Sequence, residues 1–149
     1  MYLPLADMES NVKHERKEME ATPQGKESIL LIDDELSVLG VMQKILDRLG
    51  YKVTGKSDSL EALELFRKDP DAFNIVVTDM TMPNLSGVDL AQKMSIIKPG
   101  IPIVLCTGFN LKINQETAEE NGISRLIMKP VTKGEIAEVL REVLDKKSN

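Results

Sequence analysis

Five reactive side chains in this chain share one local setting. Asp33 and Asp34 follow the apolar run Ser28-Ile29-Leu30-Leu31-Ile32, and Asp79 follows Ile75-Val76-Val77-Thr78. Thr107 follows the apolar run Ile101 to Cys106, and Lys129 follows Ser124 to Met128. If these runs end at one place, three carboxylates, a hydroxyl and an ammonium converge there. Carboxylates held a few ångströms apart repel, and one keeps its proton unless a positive charge compensates. A hard divalent cation does this, and magnesium in particular takes carboxylate oxygens while keeping several waters. A metal, a lysine and a hydroxyl around one carboxylate are the parts for phosphoryl transfer to an aspartate. The carboxylate attacks in line, the positive charges neutralise the equatorial oxygens, and the hydroxyl donates a hydrogen bond to one of them.

Convergence depends on the elements that carry these residues. Short continuous apolar runs such as Ser28 to Ile32, Ile75 to Thr78 and Ile101 to Cys106 read as strands buried on both faces. Tyr51 to Gly55 is a weaker strand, and Ser124 to Met128 is the fifth. Between them, Leu39, Met42, Leu46 and Leu49 are spaced three, four and three apart, which predicts a helix over 36–49 closed by Gly50. Ser59 to Lys68 is helical, capped by Ser57 or Asp58 and stopped near Pro70. Gly87 to Ile97 is a helix ended by Pro99-Gly100, and Asn114 to Asn121 is a short polar one closed by Gly122. Lys133 to Lys146 is amphipathic, with Ile136, Val139, Leu140, Val143 and Leu144 on its inner face. The order βαβαβαβαβα predicts a parallel sheet covered on both faces, so all five strand ends share one edge. In such sheets ligands bind outside the carboxyl ends of the strands.

Each element also has a plainer reading. Asp33-Asp34 could cap the following helix, Asp79 could cap a turn ahead of Pro83, Thr107-Gly108 could be a turn, and Lys-Pro is a common dipeptide. Their joint placement at the ends of separate strands favours a site.

The bulk properties narrow the setting. The chain has 149 residues, 42% hydrophobic and 29% charged, which suits one domain with a proper core. No apolar run is long enough to span a bilayer, and the N-terminus lacks the pattern of a signal peptide. A single cysteine, Cys106, excludes an internal disulfide and suits a reducing compartment, so a cytoplasmic location is expected. The net charge is −5 and no long basic stripe occurs, so direct nucleic-acid binding is not expected. Residues 1–26 read as a polar arm or linker, 27–146 as the regular domain and 147–149 as a tail.

The segments "ILLIDDE", "VVTDMTMPNLSG", "PIVLCTGF" and "LIMKPV" resemble a response-regulator receiver domain of two-component signalling, over Lys26 to Lys146. The resemblance implies an α/β, flavodoxin-like (βα)5 three-layer sandwich with a five-stranded parallel sheet in the order 2-1-3-4-5. It implies that Asp79 is the phosphoacceptor, Thr107 the switch hydroxyl and Lys129 the phosphoryl-pairing lysine. Asp34 and Asp79 would ligate Mg2+ directly, Asp33 largely through water, and Thr81 through its backbone carbonyl. The Lys129-Pro130 bond is expected in cis. Implied partners are a histidine kinase or a histidine phosphotransfer protein, with a homodimer through the face of the fourth helix, fifth strand and fifth helix as a further option. Such a chain is not a stand-alone metabolic enzyme, but promotes its own phosphorylation and dephosphorylation.

One departure bears on mechanism. Many receivers carry an aromatic residue three positions before the lysine, whereas this chain has Leu126. The usual coupling of threonine to aromatic ring is therefore in doubt, and the expected switch is the Thr107 to Leu111 loop with the helix after it. At the N-terminus, "MYLPLA" resembles the final strand of a histidine-kinase ATP-binding domain, as at the end of a hybrid kinase. His14 sits in the solvated charge run "KHERKE" and is not expected to act. Only Lys147, Ser148 and Asn149 follow the last helix, so the output is expected to be another protein. Two rival readings are a pseudo-receiver that never takes phosphate and a magnesium-dependent phosphohydrolase. The latter would need a second acid near the nucleophile, and Thr81 is not one.

Overall fold

A computed structural model describes residues 25–108 and 115–148. The expected N-terminal arm lies outside these residues except for Gly25 and Lys26, as do residues 109–111 of the expected switch loop, His14 and Asn149. Five strands form one parallel sheet: β1 (Ser28–Ile32), β2 (Lys52–Lys56), β3 (Ile75–Asp79), β4 (Ile103–Thr107) and β5 (Arg125–Met128). Their spatial order is β2-β1-β3-β4-β5, as expected. The helices are α1 (Leu36–Arg48), α2 (Ser59–Lys68), α3 (Gly87–Ile97), α4 (Gln115–Glu120) and α5 (Lys133–Ser148), with a 3-10 turn at Pro70–Ala72.

Period-2 alternation along the strands splits the core in two. Ile29, Leu31, Val77, Val104, Cys106 and Ile127 face one layer with α1 and α5. Leu30, Ile32, Val76, Ile103 and Leu105 face the other with α2, α3 and α4. The central strands β3 and β4 are buried at every residue, which is why they read as unbroken apolar runs. The edge strand β2 is exposed or half-buried throughout, which explains its weak signal. Every residue expected on the inner faces of α1 and α5 is buried.

Boundaries shift where the backbone dictates. Gly50 adopts a positive φ of 99° after α1, and the Tyr51 N–H turns back to the Leu46 carbonyl, so the second strand starts one residue later than the apolar pattern suggests. The fourth strand begins at Ile103 rather than Ile101 because Pro102 has no N–H to donate. Asp58, not Ser57, caps α2: its carboxylate accepts the Leu60 N–H at 2.8 Å. The Lys129-Pro130 bond is cis, as expected. Among the described residues, no helix is long and apolar enough to cross a membrane.

Candidate functional site

The sheet mounts the site through ladder bonds that continue past the strands. The Asp33 N–H donates to the Lys56 carbonyl, extending β1 along β2. The Met80 N–H donates to Cys106, extending β3 along β4, and the Lys129 N–H donates to Thr107, extending β5 along β4. Asp79 itself is the last residue of β3 and pairs in register with Cys106. Each reactive residue thus lies at or within one step of a backbone hydrogen bond between neighbouring strands, which fixes its backbone position.

Helix α3 closes one side. A Cβ at Gly87 would run into the Leu105 side chain and the Asp79 carbonyl, so only glycine lets this helix start against the end of β3. The Gly87 N–H donates to the Met80 carbonyl at 2.8 Å. Ser86 caps α3 with a reciprocal Ser86–Asp89 capping box. The loop between Asp79 and α3 is tied down by Ser59, whose hydroxyl donates to the Pro83 carbonyl and accepts the Leu85 N–H. Asn84 takes a positive φ there, a conformation its short amide tolerates.

Asp33, Asp34 and Asp79 come together, each offering an oxygen within 4.8 Å of the others'. Asp33 and Asp79 are buried and Asp34 is exposed. The Lys129 Nζ lies 2.7 Å from Asp79 Oδ1 and 3.3 Å from Asp33 Oδ2. Burial pushes the Asp79 carboxyl above its ordinary value; the Lys129 hydrogen bond and charge pull it back only in part, and Asp33 and Asp34 push it up further. For Lys129, burial favours the neutral amine, but Asp79 and Asp33 outweigh it and hold the ammonium above its ordinary value. Among the described residues, one cation thus pairs with two acids and a third lies beside them, leaving a net negative cluster rimmed by oxygen. That donor set is hard and anionic, the kind magnesium takes, and octahedral ligands at about 2.1 Å would sit about 3 to 4 Å apart. The cluster is close to that size.

The plainer capping reading does not hold for Asp33 and Asp34. The first residue flanking α1 is Glu35, and it makes no side-chain cap. Asp33 Oδ1 instead accepts the Glu35 N–H at 2.9 Å, which orients the carboxylate and leaves Oδ2 facing Lys129. Thr81 lies exposed in the loop after Asp79. Thr107 ends β4 and is buried; its hydroxyl approaches Met80 Sδ at 3.3 Å and the Gly108 carbonyl at 3.2 Å. Cys106 sits behind Asp79, with its thiol pushed by burial to about 12, which keeps it unreactive. Beside the carboxylates opens an apolar cleft of about 590 Å³, lined by Val38, Val41, Met42, Pro130 and Val131 among others. Sequence patterns did not single out Ser59 or Met80, whose contacts join residues more than twenty positions apart.

Comparison with known proteins agrees with this fold. The family model of the response regulator receiver domain matches residues 29–141. Among curated proteins, the two-component response regulator ARR14 of Arabidopsis thaliana is 29% identical over 80% of this chain and 31% of its own length. The probable transcriptional regulator ycf27 of Porphyridium aerugineum is 34% identical over 80% of this chain and 48% of its own. The chain therefore spans a third to a half of the length of these relatives. A receiver domain protein from Clostridium thermocellum superposes with a TM-score of 0.78 at 30% identity, covering 82% of this chain and 97% of that one. The receiver domain of a sensor histidine kinase from Pseudomonas aeruginosa, with a magnesium ion coordinated in its active-site cleft, shares the fold at a TM-score of 0.72 and 22% identity, covering 81% and 99%.

Proposed function

The chain belongs to the response regulator receiver domain family, and from that premise we propose that it accepts a phosphoryl group on Asp79 from a phosphohistidine. The observation that carries this reading is the 2.7 Å contact of Lys129 with Asp79 inside a cluster with two further carboxylates. Asp79 is held by its strand, paired with one cation and surrounded by more negative charge than that cation offsets.

An Asp79 carboxylate oxygen attacks phosphorus while the phosphorus–nitrogen bond to the donor imidazole breaks, and the imidazole leaves with a proton from its surroundings. The product is an acyl phosphate on Asp79. The Lys129 ammonium, already beside Oδ1, pairs with a phosphoryl oxygen as charge moves onto it. The Thr107 hydroxyl turns to donate to another. Asp34 and Asp79 would hold magnesium directly, Asp33 through water and Thr81 through its carbonyl; the bound ion neutralises the carboxylates and the transferring oxygens.

The donor is a histidine kinase or a histidine phosphotransfer protein. Its approach is supported by exposed apolar residues near Asp79: Val41, 59% exposed on α1, lines the same cleft as Asp79, Pro130 and Val131, and Leu36 is 72% exposed at the start of that helix. The output face is that of α4, β5 and α5, which also serves for pairing of two copies. Thr107 pairs in register with Met128, which is 47% exposed on that face, so a shift at Thr107 is one ladder step from a partner. The lone buried thiol suits a cytoplasmic setting.

Beryllofluoride, a mimic of the phosphoryl group, tests the reading. With magnesium it should move the amide resonances of Asp33, Asp79, Thr107 and Lys129 together. A protein that binds magnesium yet shows no response to beryllofluoride would be a receiver fold that does not take phosphate.

A further inference from the structure

The residue after the phosphoacceptor is a methionine, and the threonine at the end of β4 directs its hydroxyl toward that methionine's sulfur. Among the described residues, the partners of Thr107 Oγ1 are Met80 Sδ at 3.3 Å and the Gly108 carbonyl at 3.2 Å. A hydroxyl has one proton. The contact to oxygen is longer than the 2.5–3.0 Å usual for such bonds, whereas 3.3 Å is a comfortable separation for the larger sulfur atom. The sulfur is therefore within reach of that proton, in competition with the Gly108 carbonyl.

Met80 is mounted rigidly enough to hold it. Its N–H donates to Cys106 at 2.9 Å and its carbonyl accepts from Gly87 at 2.8 Å, so both backbone groups are fixed between β4 and α3. Its side chain packs against the apolar layer of α2, α3 and α4, alongside Met82, Leu85, Val88 and Leu126. A thioether is also a weak acceptor. It can hold a hydroxyl whose other contact, the Gly108 carbonyl, is long at 3.2 Å, and loses it readily to a charged phosphoryl oxygen, since a charge-assisted bond is roughly twice as strong as a neutral one.

We propose that Met80 is a positioning residue of the switch, its thioether sulfur parking the Thr107 hydroxyl until a phosphoryl group on Asp79 claims it. This rests on the phosphoacceptor reading. In a chain with Leu126 in place of the usual aromatic partner, the resting position of the threonine is set from the Asp79 side rather than by a ring on β5. The weakness of the acceptor sets a low threshold for switching.

The test uses the full chain and the variant Met80→Leu, which keeps the apolar bulk and removes the acceptor. The first readout needs no phosphate: three-bond couplings to the Thr107 methyl report its side-chain rotamer. Wild type should hold one rotamer, and Met80→Leu should average over more than one. An unchanged single rotamer in Met80→Leu overturns the proposal. The second readout is beryllofluoride affinity in saturating magnesium, in a cycle with Thr107→Val. Met80→Leu should tighten binding about two- to fivefold, the worth of one modest hydrogen bond, and should have no effect on top of Thr107→Val. An equal effect in both backgrounds would show that Met80 acts through packing and would overturn the proposal. If wild type ignores beryllofluoride altogether, the phosphoacceptor reading fails, while the rotamer measurement still decides whether the sulfur holds the hydroxyl.

Discussion

The two edges of the sheet carry similar chemistry with opposite outcomes. At the carboxyl edge, Lys129 faces Asp79 and Asp33, with Asp34 nearby. At the amino edge, Arg141 of α5 grips Glu27 through two bonds of 3.0 and 2.7 Å and reaches Asp145 at 2.9 Å. Glu27 is held below its ordinary value, mainly by the Arg141 hydrogen bonds, which outweigh its burial. Asp79 is pushed above its ordinary value, because burial and two like charges outweigh Lys129. The planar guanidinium meets a carboxylate in two bonds at once, and a single ammonium shared between Asp79 and Asp33 does not. The amino edge is a satisfied clasp. Among the described residues, the carboxyl edge is left short of positive charge, and on the proposed reading that shortage suits it to a metal and a phosphoryl group.

The sharpest way to break this contrast is to remove each cation. Lys129→Met should lower phosphoryl uptake by about a hundredfold or more, since a preorganised charge on the transferring group is lost. It should also destabilise the metal-free protein by about 2 kcal/mol in urea denaturation, with much of that returning on adding magnesium. Arg141→Ala should cost about 1–2 kcal/mol through the stranded Glu27, and magnesium should restore none of it. Rescue at both edges, or at neither, would erase the distinction.

Asp33→Asn sharpens the contrast further. Asparagine keeps an oxygen for the Glu35 N–H while removing one charge from the cluster. Isothermal titration should show magnesium binding weakened about tenfold or more, while the metal-free protein gains up to about 1 kcal/mol. Loss of stability alongside loss of magnesium would mean that the carboxylate is structural.

The smallest effects are in pH dependence. Glu27 has a depressed value, so its contribution is present above its ordinary 4.5 and is lost as pH falls through the folded value. Glu27→Gln should flatten that part of the acid limb. Asp79 has a raised value, so its charge opposes folding above the folded value, and that penalty is relieved as pH falls toward the ordinary 3.8. Asp79→Asn should therefore stabilise the metal-free protein at neutral pH and lose that advantage in acid. Denaturation midpoints across this range would separate the two, because the slopes have opposite sign.

The carboxyl edge was far more legible in the sequence than the amino edge. Strands β3 and β4 are buried on both faces, so they appear as unbroken apolar runs, and any polar residue ending such a run stands out. Asp33, Asp79 and Thr107 each end such a run, Lys129 ends the weaker β5, and the structure brings all four to the carboxyl edge of the sheet. The Glu27–Arg141 clasp has no local signature, because its partners lie 114 positions apart and each looks like an ordinary surface charge. Ser59, which ties the loop after Asp79 from 24 residues upstream, was hidden for the same reason. Gly87 stood in a recognisable motif, but its need to be glycine comes from the packing of α3 on Leu105 and Asp79. Met80 read as one more apolar residue, and only the position of the Thr107 hydroxyl gives its sulfur a role.

The most direct test of the central claim is intact-mass spectrometry after incubation with a small phosphodonor, with and without magnesium, on wild type and Asp79→Ala. The account predicts one added phosphoryl group on wild type that requires magnesium and is absent from Asp79→Ala. An adduct that persists in Asp79→Ala, or that forms equally well without magnesium, would contradict it.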